Sequence, residues 1–218
     1  MKTIADYWRD AALEWDESSY EGRTRGSLVE RFANTQRGHI RARYVTAESQ
    51  LAGWIDGKSF VEVGIGGGEL LVRLLELGAR HGTGVDVSPQ VCEVARRRAE
   101  RAGVGDRAEV ITGTLDALDA SLSADLVTGL GILEYLEPAE VASLLRRLHP
   151  EQVFFSFDES NLTPKKAMHA VYRRLKKWPY YKKYSAAEIV ALLDEAGYSD
   201  ARVFRDGANS FISTLPVQ

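Results

Sequence analysis

The chain has 218 residues, of which 44% are hydrophobic and 27% are charged, and its formal net charge at pH 7 is −3. This composition is typical of one globular domain with added elements, and it gives no general affinity for nucleic acid. A single cysteine, Cys92, excludes an internal disulfide and fits a reducing compartment. No secretory signal opens the chain and no apolar run approaches the roughly 18 residues of a membrane span, so a soluble, cytoplasmic protein is predicted.

Residues 1–54 are predicted to form an N-terminal helical cap. Apolar side chains recur at helical spacing from Ile4 to Trp15, and two amphipathic segments follow at 26–36 and 39–53. The turn-forming stretch GWIDGKS then separates this cap from the rest of the chain, which we take as a second unit spanning 55–218.

From residue 59 onward, apolar strand patterns alternate with helical patterns. Such alternation indicates βαβ units, a parallel sheet and helices on both of its faces. The predicted strands are FVEVG, GTGVDV, AEVITG, ADLVTGL and QVFFSF, and the predicted helices lie near 69–79, 89–102 and 138–148.

The C-terminal third departs from this alternation. Thr163 and Pro164 are the N-cap and first residue of a predicted helix that reaches about residue 177. Ser185 and Glu188 form a capping box for another helix, which ends at Gly197. The strands ARVFRD and SFISTLP flank the turn GAN, so we predict a closing antiparallel hairpin.

A glycine-rich turn, residues 64–68, directly follows the first predicted strand of the sheet. Each glycine there costs about 0.5–1 kcal/mol relative to alanine, so four of them need a reason. In open α/β sheets such a turn faces the crevice where ligands bind, and free backbone N–H groups at the helix start face the ligand. A tight turn without a ligand is the alternative. The dinucleotide fingerprint is disfavoured because Glu69 stands where its third glycine belongs.

Glu62 precedes the turn, and Asp86 ends the second strand in GVDVS. This combination resembles motif I and the following acid of the class I S-adenosylmethionine-dependent methyltransferases of the small-molecule type. The resemblance covers about 55–216. It implies an α/β, Rossmann-like, doubly wound, mostly parallel seven-stranded sheet with a C-terminal antiparallel hairpin. It also implies that the turn runs under the methionine part of S-adenosyl-L-methionine, that Glu62 supports the turn and the amino group, and that Asp86 accepts hydrogen bonds from both ribose hydroxyls.

The same resemblance implies further cofactor contacts and shows two departures from the family pattern. Thr114 stands where the family has an acid beside the adenine amino group, and the usual Pro-Gly-Gly turn is replaced by residues 149–152. The full set of implied cofactor-binding residues is Tyr20, Glu62, Gly64, Ile65, Gly66, Gly68, Asp86, Val87, Thr114, Leu115, Gly129 and Leu130.

The implied chemistry is methyl transfer to oxygen or nitrogen of a small organic acceptor, with a base needed only if the acceptor must lose a proton. Our catalytic candidates are His39 on the cap, Tyr135 after the fourth strand and Asp158 after the fifth. Glu134 and Glu159 share these strand ends. The alternative roles are capping or orienting a helix for Glu134, packing for Tyr135 and satisfying backbone donors for Asp158. No cysteine and histidine cluster has metal-ligand spacing, so no metal site is predicted.

Residues 165–184 carry eight Lys or Arg and no acid, and removing these charges from the net −3 leaves −11 on the remainder. We expect a basic lid insert at about 159–184, with a solvated helix face as the alternative. An anionic or aromatic acceptor, free or bound to a carrier protein, is favoured over nucleic acid. The rival functions are an RNA-modifying methyltransferase and a non-catalytic protein that binds S-adenosylmethionine. The oligomeric state stays open.

Overall fold

In the computed structural model, the described residues are 6–9, 11–12, 28–160 and 182–215. Tyr20, the helix predicted from residue 163 and the basic segment up to residue 181 lie outside these ranges. The described strands are β1 Ser59–Val63, β2 His81–Asp86, β3 Ala108–Thr112, β4 Leu126–Leu130, β5 Gln152–Phe157, β6 Arg202–Asp206 and β7 Asn209–Ser213. The main α-helices in these ranges are α1 Leu28–Leu51, α2 Glu69–Glu76, α3 Pro89–Arg101, α4 Pro138–Leu148 and α5 Ala186–Glu195.

The seven strands form one sheet in the order β3-β2-β1-β4-β5-β7-β6. Strands β1 to β5 pair in parallel, whereas β7 runs antiparallel to both β5 and β6. The predicted parallel sheet and closing hairpin are confirmed. Strand order reverses between β1 and β4, and this reversal point is where open α/β sheets bind their ligands.

Helices cover both faces of the sheet because the buried strands present apolar side chains on both sides. Val61 and Val63 of β1 pack with α4 and α5 in one cluster, and Phe60 packs with α1 and α2 in the other. Burying one such side chain fully stabilises the fold by about 1.5–3 kcal/mol. Glu62 shares the face of Phe60, so the alternation of β1 turns this acid toward α2.

The helix α1 corrects one prediction. We predicted separate segments at 26–36 and 39–53, but the structure has one 24-residue helix that runs through Gly38. A single internal glycine costs about 1 kcal/mol, which the packing of Ala47 and Leu51 against the sheet outweighs. The Thr46 hydroxyl also donates to Asp206 of β6, which ties α1 to the C-terminal hairpin.

Candidate functional site

The turn between β1 and α2 requires glycine at three positions. Gly64, Gly66 and Gly68 have φ values of 69°, 49° and 76°, a region that other residues rarely adopt. A Cβ atom on Gly64 would lie 2.8 Å from Cδ1 of Ile132, and one on Gly68 would lie 2.8 Å from Cβ of Ala95. The turn, which also contains buried Ile65, therefore packs closely against α3 and the connection that follows β4.

Asp86, the last residue of β2, is fixed by the backbone of two loops. Its Oδ2 accepts a hydrogen bond from the Gly66 N–H at 3.1 Å, and its Oδ1 accepts one from the Ser88 N–H at 3.0 Å. The residue after Asp86 is Val87, which is half-buried. The carboxylate is thus held at the mouth of the crevice beside the glycine turn.

Glu62 lies beneath the turn and is only 2% exposed. Burial raises the pKa of its carboxyl well above the usual value, repulsion from Asp86 and Glu69 raises it further, and the backbone amide of Leu71 in the first turn of α2 opposes the shift. Its Oε2 accepts no hydrogen bond from any described residue. A buried acid with a free oxygen is a place where a positively charged group gains favourable electrostatic energy.

The ends of β3 and β4 lie at the same edge. The Gly113 N–H donates to the Asp86 carbonyl at 2.8 Å, which brings the 3₁₀ turn after β3 next to the end of β2. Exposed Thr114 and half-buried Leu115 begin that turn. Gly129 and Leu130 end β4 on the other side of the glycine turn.

A short N-terminal helical segment, residues 6–9 and 11–12, covers this edge. The Trp8 ring packs edge-to-face on Tyr135 with centroids 5.1 Å apart, and the Arg9 carbonyl accepts a hydrogen bond from the Ser88 hydroxyl at 3.3 Å. The segment thus contacts the connection after β4 and the one after β2. From the sequence, Trp8 is only part of an apolar helical stripe, and nothing in that pattern indicates that it lies over a crevice.

Charged side chains meet at the ends of β4 and β5. Glu134, in the 3₁₀ turn Leu133–Tyr135, is 3% exposed, and its Oε2 accepts no hydrogen bond from any described residue. Burial raises the pKa of this carboxyl to about 7, and the charge of Asp158 acts in the same direction. Arg43 of α1 and hydrogen bonds from the backbone of Glu134 and Asp158 lower the pKa. Arg43 reaches the β4 end, since a Cβ on Gly131 would lie 2.2 Å from its Nη1.

Two of the three predicted catalytic residues belong to this edge. Tyr135 contacts Trp8, and Asp158 pairs with Lys183 at 3.5 Å. The backbone of His39 lies in α1, but its side chain falls outside the described residues. Glu134 was considered as a capping residue, but Glu137 forms the capping box of α4 instead.

The described ranges contain neither a group of metal ligands nor a helix suited to span a bilayer. Among those residues, no group of three or more His, Cys, Asp and Glu side chains is arranged to hold a metal ion. None of the helices described there combines the length and apolarity needed to cross a bilayer.

Residues 60–150 match the family model described as a methyltransferase domain. Ribosomal protein L11 methyltransferase from Haemophilus influenzae (strain PittEE) is 37% identical over 79 residues, which cover 34% of this chain and 26% of that relative. The chain therefore aligns with about a quarter of the length of this curated relative.

Solved structures share the fold at low sequence identity. Magnesium protoporphyrin IX methyltransferase from Synechocystis PCC 6803 with bound SAH superimposes with a TM-score of 0.69 at 18% identity, covering 96% of each chain. Mitomycin 7-O-methyltransferase gives a TM-score of 0.58 at 21% identity, covering 95% of this chain and 67% of the other.

Proposed function

We propose that this chain is a class I S-adenosylmethionine-dependent methyltransferase, since residues 60–150 match a methyltransferase domain, and that it transfers a methyl group from S-adenosylmethionine to oxygen or nitrogen of a small organic acceptor. The observation that carries this proposal is the meeting of three features at one edge of the sheet. These are the glycine turn, the Asp86 carboxylate bonded to that turn, and the free Oε2 of buried Glu62.

The side chains at this edge fit the parts of S-adenosylmethionine. The free oxygen of Glu62 suits the ammonium group, because a nearby cation stabilises the ionised form of a buried acid. The Asp86 carboxylate suits the two ribose hydroxyls, because a carboxylate accepts hydrogen bonds from both hydroxyls of a vicinal diol. Backbone at Thr114 and Leu115 would lie beside the adenine, and Gly129 and Leu130 would flank the nucleoside from β4.

Bound S-adenosylmethionine supplies a methyl group on a positively charged sulfur that leaves as a neutral thioether. The protein then has to hold the acceptor in line with the methyl group and to exclude water. Positioning of this kind can contribute about 7–11 kcal/mol to lowering the barrier. Trp8 and Tyr135 suit this task, since their contact closes the crevice on the β4 side.

Support for a small acceptor comes from the covered crevice and from the names of the structural neighbours. Magnesium protoporphyrin IX methyltransferase and mitomycin 7-O-methyltransferase are named for small-molecule acceptors. The match to ribosomal protein L11 methyltransferase spans only 79 residues, so it carries no argument about the acceptor. Aromatic Trp8 and cationic Arg43 favour an aromatic or anionic acceptor.

The first test is calorimetric titration of the purified protein with S-adenosylmethionine. We expect binding that Asp86→Asn weakens by about 1.5–3 kcal/mol, the usual contribution of hydrogen bonds to a charged group. Asp106→Asn, in an exposed turn before β3, is the matched control and should bind normally. Absence of binding to the wild-type protein would contradict the proposal.

The second test measures formation of S-adenosylhomocysteine with phenols, carboxylic acids, amines and RNA as acceptors. Product with a small acceptor supports the proposal. Product with RNA alone, with binding that weakens steeply as salt rises, would favour the RNA-modifying alternative. Tight cofactor binding without product from any acceptor would favour the non-catalytic alternative.

A further inference from the structure

The carboxylates at the ends of β4 and β5 differ in whether each of their oxygens has a partner. Asp158 pairs with Lys183 at 3.5 Å. Glu159, the next residue, accepts hydrogen bonds from Arg205 Nε at 2.7 Å and from the Ser210 hydroxyl at 2.8 Å. Both acids are therefore committed to holding the fold together at the end of β5.

Glu134 differs from these two because its Oε2 is buried and accepts no hydrogen bond from any described residue. Across the β4 end, the Nε of Arg43 is also buried and lacks a hydrogen-bond partner among the described residues. A buried polar group without a hydrogen-bond partner destabilises the fold, and a charged group does so more strongly. At this crevice an acceptor oxygen and a donor N–H both lack a partner. The pair therefore suits a ligand that offers both a proton and an acceptor oxygen.

We propose that Glu134 is the general base of the reaction and that Arg43 orients the acceptor beside it. This inference rests on the methyl-transfer function proposed above. The acceptor's oxygen or nitrogen forms a bond to the methyl carbon, and the methyl–sulfur bond breaks with its electron pair left on sulfur. The acceptor's proton passes to Oε2 of Glu134 and afterwards to water. The Nε–H of Arg43 donates a hydrogen bond to a second oxygen of the acceptor.

This pair of contacts defines a class of acceptor. The nucleophile must carry a proton that it loses on methylation, as a phenol or an aromatic N–H group does. A carbonyl or carboxylate oxygen must stand close to it to accept the hydrogen bond from Arg43. We therefore expect 2-hydroxybenzoate and 2-aminobenzoate to be better probes than phenol and aniline, which lack that oxygen.

The charged groups around Glu134 suit a base that works near neutrality. Arg43 faces it from α1 and Asp158 from β5, with opposite effects on the pKa, and burial brings that pKa to about 7. The amide of Lys182 donates to the Glu134 carbonyl at 2.8 Å, and the next residue, Lys183, is occupied by Asp158. Because a base must be deprotonated, the rate should rise about tenfold between pH 6 and pH 8.

The test compares the wild-type protein with Glu134→Gln and Glu134→Asp. Glu76→Gln, an exposed residue at the end of α2, is the matched control for loss of a carboxylate. Each protein is titrated with S-adenosylmethionine by calorimetry, and S-adenosylhomocysteine formation with the four probes is followed from pH 5.5 to 9. We expect Glu134→Gln to lower kcat by about 10²–10⁴-fold and to remove the rise with pH.

In the same experiment, cofactor affinity of Glu134→Gln should stay within about twofold of the wild-type value, because a general base is needed for the proton transfer and not for cofactor binding. Glu134→Asp should keep the increase of kcat with pH, with a lower kcat at every pH. This variant replaces Glu134→Gln in the test if the glutamine variant does not fold. A glutamine variant with near-normal kcat and an unchanged pH profile would overturn the base assignment alone. Cofactor binding without product from any probe in the wild-type protein would overturn methyl transfer and the base together.

Discussion

Substituting alanine for Gly68 tests two reasons why this position needs glycine. One is the left-handed backbone, and the other is the lack of space for a Cβ atom beside Ala95. Gly68 has φ of +76° and Gly57, before β1, has φ of +69°, so alanine is strained at both positions. Around Gly57 nothing lies within 4 Å of an added Cβ, whereas at Gly68 the Cβ would meet Cβ of Ala95 at 2.8 Å and its Cα at 3.0 Å. Gly57→Ala is therefore the control for the backbone strain alone.

The expected magnitudes follow from these contacts. A left-handed conformation costs an L-residue about 1–2 kcal/mol, which is the whole loss expected for Gly57→Ala. The atoms of Ala95 belong to the backbone and Cβ of α3 and cannot rotate away, so Gly68→Ala adds an overpacking cost of about 1–3 kcal/mol. We expect a total loss of about 2–5 kcal/mol in the free energy of unfolding for Gly68→Ala.

The assay is urea unfolding with linear extrapolation, followed by calorimetric titration with S-adenosylmethionine. Gly68→Ala should lose both stability and cofactor affinity, because α3 and the turn must move apart. Gly57→Ala should lose stability only. Equal losses of unfolding free energy in the two variants would refute the argument that Ala95 requires glycine at position 68.

Three further outcomes follow from the described contacts. Because burial raises the pKa of Glu134 from 4.5 to about 7, its contribution to stability is present below pH 4.5 and is lost as pH rises to about 7. In urea unfolding, the wild-type free energy should fall by about 3 kcal/mol relative to Glu134→Gln over that interval, and parallel curves would contradict this. Trp8→Ala removes the ring contact with Tyr135, so it should lower the unfolding free energy by about 0.5–1.5 kcal/mol and weaken S-adenosylmethionine binding in calorimetry, and an unchanged affinity would contradict the role of this ring at the crevice. Glu159→Gln breaks the charged bonds from Arg205 and should lower the unfolding free energy by about 1–3 kcal/mol, and an unchanged urea midpoint would count against that anchoring role.

The sheet could be predicted because its signals are local. Each parallel strand is a short apolar run, and turn residues or helical patterns stand on both sides of it. The helix α1 was harder, since Gly38 interrupts the pattern while the packing of Ala47 and Leu51 that overrides it depends on distant strands. Propensity was outweighed there by tertiary contacts.

The candidate site was predictable only where one stretch of sequence carries it. Glycine spacing and strand-end position mark the turn and Asp86. The distinction between Glu134 and Asp158 is not local, because it depends on which acid meets Lys183 and which faces Arg43. Both acids follow strands of similar composition, so their sequence context alone does not separate them.

The two bonds that Asp86 accepts from Gly66 and Ser88 have a consequence for the thermodynamics of recognition. They order the loops after β1 and β2 in the free protein, so the conformational entropy of these loops is already lost when a nucleoside arrives. Calorimetric titration with S-adenosylmethionine should therefore show little ordering entropy from these two loops, and Asp86→Asn, which weakens the two bonds, should increase it.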